Sequence, residues 1–488
     1  MTAHLPILVL LATIVPAVCM PLLGMKNRAW CRPVALASLW LMSLLSVATF
    51  IAVYQDGPIP YALGGWEAPV GVAWLVDGPG ALMVVSLGIV VSLSMTASGP
   101  RSPAPGASVV PYYALILLLV SGATGIIFAA DLFNVFVFLE VAALAGYALA
   151  ATGGGPALMA AFRYLILGSL GASLYLLAIA YLYAATGTLN MADLAIRLPP
   201  LLDSRAVLAG VSFMFIGLGI KSALVPFHGW LPDAYTHAPE AVTPVLAAVV
   251  TKVVLFTWIR IMFWVLGAGV EVQAAHILDV LWILGAAGAV VGALLALSQR
   301  DLKRMFALGG ISHIALTLVG VGQGNQTGLV GGLFYLVNDA FMQAGLFVLA
   351  GAAIHKYGVR TWDDLGKLRA QAPWLVGALI VIATSMVGLP PTGGFFGKWY
   401  ILLSALEAGN YLAVAAVAIA TVLTLAYFIK LFEAIFRGPR AVEGAETPTL
   451  PLSFKLAVSG FLVGIVGFGL ISDSVVAFLL QTTSGLNL

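Results

Sequence analysis

The chain has 488 residues, of which 61% are hydrophobic and only 9% charged, with a formal net charge of +2. Soluble proteins carry about 25% charged residues, so this composition excludes a soluble protein and places the chain among polytopic membrane proteins. No basic cluster is interleaved with aromatics, which speaks against nucleic-acid binding, and Cys19 and Cys31 belong to no CxxC or iron–sulfur run, so no cofactor is expected.

Apolar runs of at least about 18 residues are candidates to cross a bilayer. The first, PILVLLATIVPAVCMPLLG, has no positive region before it and reads as a membrane helix, not a cleaved leader. Fourteen runs follow one another, near 4–24, 33–53, 79–98, 109–129, 131–151, 160–185, 206–226, 243–266, 275–297, 305–322, 326–353, 375–402, 410–435 and 457–480. The predicted fold is therefore an all-α polytopic membrane protein of about 14 transmembrane helices, a single membrane domain over 1–488 with no soluble part. A polar linker holding Pro and Gly, FRGPRAVEGAETPTLP at 436–451, joins the last two spans.

Charge placement tests this count. With the N-terminus outside, 16 of the 22 Lys and Arg residues fall on cytoplasmic links and helix ends, Arg101, Arg163, Arg304 and Arg440 among them. Arg197, Arg205 and Arg260 fall on the other side, and Lys221, Lys252 and Lys398 fall within spans. The excess on one side agrees with the positive-inside rule, and a missed helix would have exchanged the sides of later links. The expected location is the inner (plasma) membrane.

The spans are not uniformly apolar. Glu140 lies nine residues after Asp131 in DLFNVFVFLEVAALAGYALAA, about 13 Å along a helix, so Asp131 is placed near an interface and Glu140 near mid-depth. Glu140 is either a proton-carrying carboxylate paired with a lysine or half of a structural ion pair; buried ionisable groups in membranes favour the first. Lys221, at the end of VLAGVSFMFIGLGIK and just before Pro226, is its natural partner. Lys252, in the eighth span, is expected to modulate that pair as a third charge, or else to snorkel to an interface. Lys398, in the twelfth, is expected to be the terminal proton donor or acceptor toward the outside.

Between the seventh and eighth spans, His228 and His237 stand with Asp233 and Glu240 among four prolines. Histidine titrates near neutral pH, so this link is either a proton access point or structural; no paired Cys/His spacing supports a metal site. His313 is a relay candidate or a satisfied core histidine. Asp339 shares a helix face with Gln343, and only Asp339 of the two titrates. The seventh and twelfth spans are both broken by proline beside one lysine, and they lie five spans apart. An odd offset reverses orientation, which suggests two inverted five-helix repeats, 109–266 and 275–435.

These residues resemble the large antiporter-like subunits of respiratory complex I, membrane-bound hydrogenases and multi-subunit Mrp-type sodium/proton antiporters, the MrpD-like subunit above all. The resemblance covers about 75–435 and rests on DLFNVFVFLE around Glu140, YLYAATGTLN at 181–190, KSALVPFHGWLPDAYTHAP at 221–239, SQRDLKRMFALGGISHI at 298–314 and GLPPTGGFFGKWYIL at 388–402. It implies fourteen helices, two inverted repeats, broken helices 7 and 12 and a central hydrophilic axis. It also implies that Glu140, Lys221, Lys252 and Lys398 stand at the family's fifth-, seventh-, eighth- and twelfth-helix charges. Many relatives carry lysine where this chain has Gln343, and some carry histidine at Asp339, which puts the activity of the second half in doubt. The sequence shows no long C-terminal lateral helix, as in the shorter MrpD-like type. The implied function is proton translocation within a multi-subunit membrane complex, first a Mrp-type Na+/H+ antiporter, alternatively the membrane arm of a complex I-like or hydrogenase redox complex. The implied partners are other membrane subunits, protons, Na+ and the lipid bilayer.

Overall fold

The computed structural model describes residues 2–68, 70–99, 108–267, 277–438 and 448–486. Arg101, Arg440, the middle of the 436–451 linker and the start of the second expected repeat at 275 lie outside the described residues.

Polar residues at the ends of apolar runs start the helices. A side-chain oxygen at the N-cap takes one of the amide protons that the first turn leaves free. Asp77 caps α3 (Gly78–Ala97) through the Gly80 amide, and Asp131 caps α5 (Leu132–Ala151) through the Phe133 and Asn134 amides. Asp301 and Asn325 cap the two central helices of the second half in the same way.

The other helices in chain order are α1 (Leu5–Lys26), α2 (Cys31–Asp56), α4 (Val109–Phe128), α6 (Pro156–Thr186), α7 (Met191–Arg197), α8 (Arg205–Lys221), α9 (Trp230–His237) and α10 (Thr243–Arg260). Then come α11 (Ile277–Ser298), α12 (Leu302–Val321), α13 (Gln326–Tyr357), α14 (Gly366–Gln371), α15 (Pro373–Val387), α16 (Gly393–Glu407), α17 (Tyr411–Arg437), α18 (Leu452–Leu470) and α19 (Ser472–Thr483). Among the described residues, 12 helices are individually long and apolar enough to cross a membrane. The seventh and twelfth expected spans are missing from that set because each is broken into shorter pieces, α8/α9 and α15/α16.

One expectation needs correction: the last span, expected as one helix over 457–480, is interrupted at Ile471 and continues as α19. The link before α3 also holds a hairpin: β1 (Ile59–Ala62) and β2 (Ala73–Val76) pair antiparallel, Ile59 opposite Val76. The apolar-run search overlooked this hairpin because each strand is only four residues long.

Helices α10, α12 and α13 are buried along nearly their whole length, whereas α1, α2, α6, α11, α17 and α18 keep one face outward. The bundle thus has a central spine of three helices, and Lys252, His313 and Asp339 lie on it.

Contacts between links sort the bundle into two ends. At one end, Asp233 on α9 bonds both Arg163 on α6 and Arg304 on α12, each at 2.8 Å, while Arg360 holds Asp301 at 2.7 Å. At the other end, isolated bridges pair Trp74 with Ala129 and Asp131 with Asn190, and Arg260 donates to the Ile127 carbonyl at 2.7 Å. This is the alternation of ends that the charge pattern predicted for these links.

Candidate functional site: a buried row of paired charges

The two breaks share one backbone turn. After α8, Ala223 adopts φ +58°, Leu224 N bonds Gly219 O, and Phe227 N bonds Leu224 O. After α15, Gly388 adopts φ +89°, Leu389 N bonds Thr384 O, and Thr392 N bonds Leu389 O. Ala-Leu-Val-Pro and Gly-Leu-Pro-Pro therefore fold alike, and the proline in each prevents the helix from continuing. Such a turn leaves carbonyls free at the helix end. At the first break the Trp230 indole N–H takes the Ile220 carbonyl at 2.8 Å. At the second, the Lys398 ammonium takes the Met386 and Val387 carbonyls at 2.7 and 3.2 Å.

That difference leaves Lys221 free for another partner. Its Nζ donates to Glu140 Oε1 at 3.1 Å, the pairing expected from sequence. The lysine is 5% exposed and the carboxylate 28%, so this pair lies at the edge of the bundle, with Glu140 on an outward face of α5 beside exposed Val137 and Leu144.

Lys252 stands elsewhere than expected. Its Nζ lies 2.9 Å from Asp339 Oδ2, and both side chains are at most 2% exposed. It neither snorkels nor joins the Glu140 pair; α10 packs along α13, and the eighth-span lysine faces the eleventh-span carboxylate. Asp339, the titrating member of the face it shares with Gln343, is thus paired with a lysine of the first half of the chain. A buried ion pair is worth little net stability but is costly to break, so its presence marks a constraint beyond packing.

Beyond that pair, His313 Nδ1 is hydrogen-bonded to the Tyr335 hydroxyl. Tyr335 lies one turn before Asp339 on α13, and its ring rests on Gly397, next to Lys398; a Cβ added there would come 2.6 Å from the ring. Tyr335 thus bonds His313, packs on the neighbour of Lys398 and shares a helix face with Asp339. Gln343 lies against Gly310 on α12, one turn before His313. The His313 Nε2, Thr317 hydroxyl, Asn338 amide and Tyr427 hydroxyl are buried without a hydrogen-bond partner among the described residues. These unpartnered polar groups lie on α12, α13 and α17, and each costs free energy if left dry.

His228 and His237 are both half-buried on the link, but no bond places either against Glu140 or Lys221. Asp233 beside them is committed to its two arginines. Lys303 on α12 donates to the Ala238 carbonyl at 2.6 Å, which ties the link to the spine. A further buried ion pair, Arg260 with Asp77, joins α10 to the start of α3 at the other end of the bundle. Sequence reading assigned Arg260 only to a side; the cue for more was an arginine inside the apolar run 243–266, followed by IMFWVL.

The geometry can be set beside known proteins. A family model described as NADH:quinone oxidoreductase/Mrp antiporter, TM, matches residues 129–424. The chain is 38% identical over 498 residues, 99% of its length and 98% of the relative's, to NADH-quinone oxidoreductase subunit N of Desulforudis audaxviator. It is 32% identical over 405 residues, 81% of its length and 80% of the relative's, to the D-type component of a Na(+)/H(+) antiporter of Alkalihalophilus pseudofirmus. It also superposes, with TM-score 0.91 and 27% identity over 99% of this chain and 97% of the other, on a chain of an archaeal respiratory complex, the membrane-bound sulfane sulfur reductase.

Proposed function

The chain belongs to the NADH:quinone oxidoreductase/Mrp antiporter transmembrane family, and from that premise we propose that it translocates protons as one antiporter-like subunit of a multi-subunit membrane complex. The observation that carries this reading is the set of ionisable groups inside the spans: the Glu140–Lys221 pair at the edge of the bundle, the buried Lys252–Asp339 pair, then His313, Tyr335 and Lys398. Ionisable groups are rare inside membranes, cost several kcal/mol unpaired, and mark ion pathways by default. On this reading a proton enters by the His228–His237 link, passes the Glu140–Lys221 pair and then Lys252–Asp339, crosses by His313 and leaves near Lys398. The first and second halves, 109–266 and 275–435, are inverted repeats, and the shared turn at the two breaks supports that. The N-terminus faces outward across the inner membrane, with the Asp233 end of the bundle in the cytoplasm, where the positive charges concentrate.

The partly exposed Glu140 supports the need for partners. A carboxylate at mid-depth does not face lipid, so a helix of a neighbouring membrane subunit covers this side of α5. The near full-length match to a relative named NADH-quinone oxidoreductase subunit N favours a redox-driven membrane arm as much as a Na+/H+ antiporter. Purifying the tagged chain in mild detergent and identifying its companions by mass spectrometry separates the two: iron–sulfur subunits mark the redox arm, small membrane subunits alone the antiporter. Lys221→Ala and Glu140→Ala should each reduce proton flux of the complex in liposomes to background while leaving its composition unchanged. Near-normal flux in either variant would sink the pathway.

A further inference from the structure

Lys221 has a second partner besides Glu140. Its Nζ also donates to the Tyr147 hydroxyl at 3.3 Å. Tyr147 follows Glu140 by seven residues, about two turns of α5, so one helix presents both groups to the same ammonium.

Tyr147 is held firmly. Its ring stands edge-on to Tyr164 with centroids 4.4 Å apart, and Tyr164 lies flat on Trp230 at 4.2 Å. Trp230 in turn bonds the carbonyl of Ile220, the residue before Lys221. The hydroxyl sits over Gly168, where an added Cβ would come within 1.9 Å of it. Phenylalanine would fill the same space and make the same ring contacts, so packing does not require the hydroxyl.

We propose that Tyr147 is a positioning residue for proton transfer: its hydroxyl is a second seat that holds Lys221 while the bond to Glu140 opens. The inference rests on the proton-translocating function proposed above. An ammonium that leaves its carboxylate inside a membrane loses its counter-group, and the hydroxyl oxygen of Tyr147 accepts from it instead. Once the lysine has given its proton up, the same O–H donates to the neutral amine, which an ionised carboxylate cannot do. The phenol keeps its own proton throughout; the transferred proton leaves Lys221 Nζ and passes, along the path proposed above, to the Asp339 carboxylate of the next pair. The groups facing that nitrogen are Glu140 and Tyr147 from α5, with Tyr164 of α6 behind Tyr147.

The test is Tyr147→Phe in the intact complex, assayed for proton flux in liposomes across a range of pH, beside Glu140→Gln and Lys221→Ala. The expected result is normal assembly, flux reduced about tenfold or more, the lower end of what a hydrogen bond to a charged group supplies, and a displaced pH profile. Flux within about twofold of the unmodified complex with an unmoved profile, while the two control variants lose flux, overturns this proposal alone. Retained flux in all three overturns the transport reading with it. If the phenylalanine variant does not assemble, fluorotyrosine at position 147 keeps ring and hydroxyl but makes the hydroxyl more acidic. A displaced profile then supports the second seat, and an unmoved one overturns it.

Discussion

Lys252 and Asp339 form the most deeply buried charge pair among the described residues, and their fate under substitution tells an ion pair from a transport site. Removing one partner leaves a lone charge in the spine, at a cost of about 3–5 kcal/mol. Lys252→Ala and Asp339→Asn should therefore each lower the melting temperature of the purified complex. The double variant Lys252→Met with Asp339→Leu should recover most of that stability and none of the flux. Recovery of flux in the double variant would show that the pair is only structural. The sequence made both residues visible, because a charge inside an apolar run stands out. It did not reveal their pairing, because hydropathy records depth along a helix and carries nothing about which helix lies opposite. The same blindness hid Tyr147 and Tyr335. Their positions, seven after Glu140 and four before Asp339, put them on the charged faces, but tyrosine inside an apolar run looks like any other aromatic.

Among the elements, the two breaks were legible because proline leaves a mark in sequence, and the hairpin and the interruption at Ile471 were not, because neither alters an apolar run enough. What fixes the first break in place is the crossing of α6 and α8. There a Cβ at Gly217 would lie 2.7 Å from the Gly171 carbonyl and 2.9 Å from the Tyr175 amide. Backbone cannot yield as a side chain can, so the helices would have to part. Gly217→Leu should cost about 1–3 kcal/mol or more and, by moving Lys221 at the end of α8, should also reduce flux. Gly377→Leu on α15, where nothing lies within 4 Å of the added Cβ, is the matched control and should lower neither stability nor flux. Equal thermal shifts for the two variants would contradict this account of the crossing.

At the scale of the whole molecule, Asp233 ties α6 to α12 and the Lys252–Asp339 pair ties α10 to α13, so charge pairs join the first half of the chain to the second. Glu140 differs: its carboxylate is more than a quarter exposed on an otherwise apolar face with Phe133, Val137 and Leu144. An orphan copy of the chain, newly inserted and not yet joined to its companions, therefore carries an exposed polar spot into the lipid. On the transport reading proposed above, the carboxylate that serves the finished complex is also a cost to the lone chain, so unassembled copies are expected to be the less stable ones. Glu140→Leu should lengthen the lifetime of the chain expressed without its companions while abolishing flux in the complex, measured by pulse-chase. An unchanged lifetime would mean that the exposed carboxylate costs the lone chain nothing.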